Sequence, residues 1–177
     1  MSLELVEPAT SGGELVSSSR IRVSLDAGEV VAASGMLGRP HRVRGVVVSG
    51  EGRGRELGVP TANLGGIGTL VPSDGVYVGS ADVSGRRYPA AVHVGGNPTF
   101  GESDRKVEVH LLAFDGDLYG QELSVEFLER VRETREFGSV DELKDQLAED
   151  IEAVWVYLES ESVEGVGAGE SSGDELS

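Results

Sequence analysis

Between Val43 and Val131 the chain is a series of short apolar segments with a period of two, punctuated by glycine, and this pattern leaves few folds open. Lys106 to Phe114 alternates most cleanly. Val107, Val109 and Leu111 fall on one face and Glu108, His110 and Leu112 on the other, with Asp115-Gly116 closing the segment. Glu122 to Val131 sets Leu123, Val125 and Phe127 against Ser124 and Glu126. Val43 to Ser49 is rich in β-branched residues, and Gly75–Val83 and Arg87–Val94 flank Ser84-Gly85 as the arms of a hairpin would. Five or six strands at this spacing predict a mainly β fold, a small antiparallel barrel.

Helical signals lie at the two ends. Ser17-Ser18-Ser19 offers N-caps to a short helix with Ile21 and Leu25 on one face, and Gly28 to Leu37 reads as a second one stopped by Gly38 and Pro40. At the other end Ser139-Val140-Asp141-Glu142 fits a capping box. Leu143, Leu147, Ile151, Val154 and Leu158 then form one apolar stripe at helical spacing, which predicts a lid packed on the barrel. Residues 1 to about 16 are expected to have little fixed structure. Glu159 to Ser177 holds Glu159, Glu161, Glu164, Glu170, Asp174 and Glu175 with no basic residue, and most of it is expected to be a disordered tail.

At 177 residues the chain is one ordinary domain with extensions. It has no cysteine, which excludes disulfides and thiolate metal sites. No stretch approaches the roughly 18 apolar residues of a membrane span, and the N-terminus lacks the pattern of a signal peptide, so a cytoplasmic location is expected. The net charge of −16 argues against nucleic acid. Charge is uneven, however: Arg39, Arg42, Arg44, Arg53 and Arg55 face only Glu51 and Glu56 between residues 39 and 58, a local balance of 5 − 2 = +3.

Within that basic stretch, residues 50–64 read Gly-Glu-Gly-Arg-Gly-Arg-Glu-Leu-Gly-Val-Pro-Thr-Ala-Asn-Leu. Gly50, Gly52 and Gly54 let backbone N–H groups approach an anion closely. Thr61 and Asn63 are neutral hard-oxygen ligands two residues apart, so extended backbone projects them to one side, as a hydrated Mg²⁺ with nucleotide phosphates requires. The segment has neither the lysine and spacing of a Walker A loop nor the G-x-G-x-x-G of dinucleotide folds. The bland reading is a glycine-rich hairpin connection.

Arg-Gly-Arg-Glu-Leu-Gly-Val-Pro-Thr-Ala-Asn-Leu (53–64), Gly-Val-Tyr (75–77), Gly-Asn-Pro-Thr-Phe (96–100), Val-Glu-Val-His-Leu-Leu (107–112) and Asp-Leu-Tyr-Gly (117–120) occur in this order. Together they resemble the riboflavin kinase family, and in particular the C-terminal kinase module of the bacterial bifunctional riboflavin kinase/FMN adenylyltransferase, or FAD synthetase. The resemblance covers about Gly38 to Leu158. It implies a six-stranded antiparallel Greek-key barrel with a C-terminal α-helix and short N-terminal helices, and the reaction ATP + riboflavin → ADP + FMN with Mg²⁺. Riboflavin, FMN, ATP and ADP are the implied partners, with neither nucleic acid nor membrane.

The same resemblance implies roles for individual residues. Thr61 and Asn63 would hold the metal and, with Gly50, Gly52, Gly54 and Arg55, the nucleotide phosphates. Leu111, Ala113 and Tyr119 would line the nucleotide site. Glu108 would be the general base for the ribityl 5′-hydroxyl, whereas on composition alone a lone glutamate on an alternating strand is a solvated outer-face residue. Arg132, Arg135 and Phe137 are candidate flavin contacts, or else a charged loop with Phe137 anchoring the helix. Gly95 to Gly101 is expected to be a gating loop at the pocket mouth, with Asn97-Pro98 as a turn signal. His110 reads as a hydrogen-bonded strand histidine, and His41 and His93 as isolated ones, so neither a zinc site nor a histidine-based triad is expected.

Residues 1–38 resemble the end of an adenylyltransferase module, residues 39–159 the kinase domain and 160–177 the acidic tail. No H-x-G-H motif precedes Ser17, so FAD synthesis is expected to be absent. Two alternatives stand beside the kinase: a catalytically silent flavin- or nucleotide-binding barrel, and part of a bifunctional FAD synthetase.

Overall fold

Strict burial alternation along His41–Val48 shows how the barrel begins: His41, Val43, Gly45 and Val47 turn inward and the residues between them outward. The computed structural model describes residues 10–11, 14–15, 17–97, 99 and 101–167. In it the chain forms β1 (Thr10–Ser11), β2 (Glu14–Leu15), α1 (Ser18–Asp26), α2 (Val30–Leu37), β3 (His41–Val48), α3 (Arg53–Glu56) and β4 (Ala62–Gly65). There follow β5 (Gly75–Val83), β6 (Arg86–Asn97), β7 (Glu102–Leu111), β8 (Glu122–Arg132) and α4 (Val140–Gly167). Strands β3 to β8 close into a barrel in the order β3-β4-β7-β6-β5-β8, every pair antiparallel. Strand β4 pairs with β7 instead of its successor β5, and β8 returns to close against β3, so the six strands form the expected Greek-key barrel.

The β5–β6 hairpin turns on Ser84 and Gly85, with φ of 52° and 80°. Positive φ at both central positions is what a two-residue type I′ turn needs to match strand twist. The inward residues of all strands fill the interior, with Tyr77 and Phe127 fully buried edge to face, centroids 5.2 Å apart. The Tyr77 hydroxyl donates to Ser73 O at 2.6 Å, which satisfies the polar end of a buried ring. A barrel this small is full, so any cavity must lie on its outer wall.

The N-terminal helices pack into the same core. Ser17 caps α1 by accepting from the Arg20 N–H at 3.3 Å, and Gly38 ends α2 in the left-handed region. Leu25, Val30 and Ala33 are buried within the barrel's core cluster, and the Ser73 N–H donates to Leu25 O. The stretch before Ser17, expected to lack fixed structure, contains the short antiparallel pair β1–β2.

The α4 stripe builds a second core outside the barrel. Val154 is fully buried against Val78 and Leu112, flanked by Ala91, Leu128, Ile151 and Leu158. Ser139 Oγ accepts from the Glu142 N–H, while the Glu142 carboxylate reaches back to the Gly138 N–H and not to that of the cap residue. The helix continues past the apolar stripe to Gly167, and the remainder of the expected tail, 168–177, lies outside the described residues. Among the described residues no helix is long and apolar enough to cross a membrane.

Candidate active site

One rung of the ladder crosses all six strands: Val48, Asn63, Glu108, His93, Val76 and Arg132 are successive register partners. Residues directly opposed across antiparallel strands project to the same face. The neighbours Leu64, Val107, Val109, Val92 and Val94 are buried in the barrel core, so this rung faces outward. Asn63 and Glu108, distant in sequence, are thereby brought side by side.

Over this rung lies the glycine-rich segment, which makes one helical turn, α3, where only a glycine-rich connection was expected. Gly52 starts the turn at φ 72°. Gly50 and Gly54 have a different role: a Cβ on Gly50 would overlap the Asn63 amide nitrogen, and one on Gly54 would overlap Val59 O and come within 3.1 Å of Thr61 Oγ1. Each glycine thus backs one of the two expected oxygen ligands, Gly50 behind Asn63 and Gly54 behind Thr61. His110 donates from Nδ1 to Pro60 O at 2.7 Å, and so fixes the residue before Thr61.

A cavity of about 500 Å³ opens here, lined by Gly50, Gly52, Gly54, Arg55, Thr61, Asn63, Glu108, Leu111 and Tyr119. Tyr119 is held by its hydroxyl on Ser49 Oγ and its N–H on Asp117 Oδ1, both at 2.9 Å. Ala113, expected in this group, does not line the cavity. Strand β7 ends at Leu111, not Phe114, because Pro89 accepts from the Leu112 N–H opposite it but has no N–H to return, and Ala113 turns into the left-handed region at φ 54°, exposed to solvent.

Thr61 and Asn63 fit a hard divalent cation by their chemistry, two neutral oxygens that leave the other ligand positions to phosphate and water. Their close backing by Gly50 and Gly54 fits a preorganised pair.

Glu108 is mostly shielded, its side chain 19% exposed. Burial is the largest influence on its carboxyl and pushes the pKa up. The His93 imidazole, the Asn97 amide and the Lys106 charge together more than offset that, and hold it below the usual glutamate value. His93 Nδ1 and Asn97 Nδ2 both lie 3.4 Å from the same oxygen, Oε2. His93 is therefore not the isolated histidine expected, and Asn97 belongs to β6 and not to a loop; Pro98 and Phe100 lie outside the described residues. The signal for both lay in cross-strand register, which pairs His93 with Glu108 and which single-strand alternation does not contain.

A second cavity of about 110 Å³ adjoins the first and is lined by His93, Asn97, Thr99, Glu108, Arg132, Arg135 and Phe137, with Asp150 of α4. Thr61, Asn97, Glu108, Leu143 and Leu147 line both cavities. The Arg132 guanidinium meets the buried Asp150 carboxylate through two bonds of 2.7 Å, and Arg135 donates to Gln146 Oε1 at 2.5 Å. Gln146 in turn donates to Asp150 at 3.2 Å. The Phe137 ring sits under both guanidiniums, 5.8 and 4.8 Å from its centroid, and its N–H donates to Thr99 Oγ1. The loop thus anchors the helix and lines the cavity at once. Gln146 and Asp150 were not expected at the site, although their spacing of four puts them on one helical face beside Leu143 and Leu147.

Known proteins resemble this chain over most of its length. The bifunctional riboflavin kinase/FMN adenylyltransferase of Bacillus subtilis (strain 168) is 37% identical over 150 residues, which are 82% of this chain and 48% of that protein. The protein of the same name from Pseudomonas fluorescens is 38% identical over 152 residues, 85% of this chain and 49% of its own length. A solved structure described as a macrolide-efflux protein from Streptococcus pneumoniae shares 40% identity and a TM-score of 0.76, covering 84% of this chain and 49% of that one. The chain spans about half the length of the curated relatives it matches. The family model for flavokinase, riboflavin kinase, matches residues 37–158. Because that match takes in the whole barrel, both cavities and the apolar stripe of α4, the chain belongs to the riboflavin kinase family.

Proposed function

We propose that this chain transfers the γ-phosphoryl group of ATP to the 5′-hydroxyl of riboflavin, giving FMN and ADP. The observation that carries this reading is the common boundary of the two cavities: a phosphoryl group in one and a hydroxyl in the other would meet against Thr61, Asn97 and Glu108. The triphosphate suits the larger cavity, where the Gly50–Gly54 turn offers backbone N–H groups and Arg55 offers positive charge. The flavin suits the smaller one, with Phe137 as a stacking surface and Arg132 and Arg135 at its edge.

Transfer makes one bond and breaks one. The ribityl 5′ oxygen bonds to the γ-phosphorus as the bond from that phosphorus to the β–γ bridging oxygen breaks, ADP keeps that electron pair, and the hydroxyl proton passes to Glu108. The transition state is loose, so a positioned carboxylate acts by orienting the hydroxyl and accepting its proton late, an effect on the order of 10²–10⁴-fold. Thr61 and Asn63 would hold Mg²⁺, which when bound would neutralise the charge that develops on the phosphates.

The test is incubation of the purified chain with riboflavin, ATP and Mg²⁺ and separation of the flavins by chromatography. FMN is the expected product. Its absence would favour a silent flavin- or nucleotide-binding barrel, and FAD in the same mixture would overturn the restriction to kinase chemistry.

A further inference from the structure

We infer that His93 is a positioning residue for the phosphoryl transfer, clamping one oxygen of Glu108 so that the other meets the substrate hydroxyl. The inference rests on the kinase reading above and assigns a role to a side chain that reading does not use. His93 lies on the outer wall of β6 in direct register with Glu108 of β7, and the two side chains are 25% and 19% exposed. Nδ1 of His93 stands 3.4 Å from Oε2 of Glu108, and the Asn97 amide reaches the same oxygen from farther along the same strand. A shielded carboxylate needs donors, and here both fall on Oε2. With both contacts on Oε2, Oε1 is the oxygen left for the substrate hydroxyl.

A strand histidine that merely fills space has no need to turn a ring nitrogen toward a carboxylate. His93 presents a nitrogen to Glu108, the carboxylate that borders both cavities. The imidazole can donate from Nδ1 either as the neutral Nδ1–H tautomer or as the cation. An asparagine at this position carries its amide nitrogen at the same branch of the side chain, so it keeps the donor while removing the ring.

Steady-state kinetics with riboflavin, ATP and Mg²⁺ on the unaltered chain, His93→Leu and His93→Asn test the inference. For His93→Leu, kcat should fall about 10- to 100-fold, the scale of a small misplacement of a reacting group. KM for ATP should change less than about twofold, and the melting temperature should stay near that of the unaltered chain. His93→Asn should recover most of kcat. An unchanged kcat in His93→Leu, or an equal loss in His93→Asn, overturns the inference while leaving the kinase reading intact. An unaltered chain that makes no FMN overturns both. Should His93→Leu fail to accumulate as folded protein, His93→Ala makes the same comparison with His93→Asn.

Discussion

Asn63 of β4 and Glu108 of β7 are direct register partners, so an amide oxygen from the glycine-rich segment and a carboxylate from a distant strand share one rung on the outer wall of the barrel. On the kinase reading proposed above, a phosphoryl group held by the first would be within reach of a hydroxyl held by the second. Glu108→Gln keeps the shape and the contacts of the rung but removes the proton acceptor. Turnover should fall on the order of 10²–10⁴-fold, with nucleotide binding retained. Single-turnover formation of FMN alongside an ATP titration measures both, and undiminished turnover would remove Glu108 from the chemistry.

Gly50 and Gly52 should respond differently to the same substitution. Gly50→Ala drives a Cβ into the Asn63 amide and must displace the proposed ligand, so metal-dependent ATP affinity should drop. Gly52→Ala meets nothing within 4 Å but sits at φ 72°, so its cost is backbone strain of about 1–2 kcal/mol. ATP titrations with and without Mg²⁺ separate a lost ligand from a strained turn; equal effects of the two variants on affinity would count against the backing role of Gly50.

Thr61→Ala removes a hydroxyl without disturbing the β4 pairing, which begins at Ala62. It should weaken ATP binding in the presence of Mg²⁺ and leave the weaker metal-free binding nearly unchanged. Calorimetric titration under the two conditions checks this, and an affinity unmoved in both would rule out Thr61 as a ligand.

The barrel was readable in advance because period-two alternation is a local property: Val107, Val109 and Leu111 declare an inner face whatever lies beside them. That Thr61 and Asn63 would fall on one side was readable from the same two-residue spacing, and both line the larger cavity. What escaped were relations between elements. His93 and Asn97 acquire their meaning from the register of β6 on β7, and Asn97 was hidden further by Asn97-Pro98, a dipeptide that signals a turn. The pairing of Arg132 with Asp150 depends on how α4 crosses the end of β8, which no apolar stripe encodes. The short turn α3 was masked by glycines that lower helix propensity, and the early end of β7 by an alanine that adopts positive φ without any side-chain signal.

The depressed pKa of Glu108 fixes the sign of one pH effect. Burial alone would raise it, and the His93, Asn97 and Lys106 contributions reverse that, so the carboxylate is ionised throughout the neutral range. A carboxyl lowered on folding stabilises the folded state above its unfolded pKa, and that stabilisation disappears as pH falls through the folded value. The acid limb of kcat/KM due to Glu108 should therefore lie below the ordinary glutamate range. Asn97→Ala removes one of the lowering contacts and should move the limb upward; a limb that moves downward or stays fixed would mean that the amide does not act on this carboxylate.

The Arg132–Asp150 pair ties the end of β8 to α4 at the edge of the smaller cavity, and its two partners are 20% and 5% exposed. Asp150→Ala leaves a largely buried guanidinium without its carboxylate and Gln146 without one acceptor. Breaking such a pair from one side costs about 2–4 kcal/mol, mostly as the desolvation of the charge left behind. Urea unfolding should show that loss in the midpoint with little change in slope. Because Asp150 lines the smaller cavity and not the larger, KM for riboflavin should rise while ATP affinity holds. Asp150→Asn keeps an acceptor for Arg132 and should fall between the two. If Asp150→Ala instead weakened ATP and riboflavin binding equally, Arg132 and its loop would have to belong to both cavities, and the division of the site into a nucleotide side and a flavin side would fail.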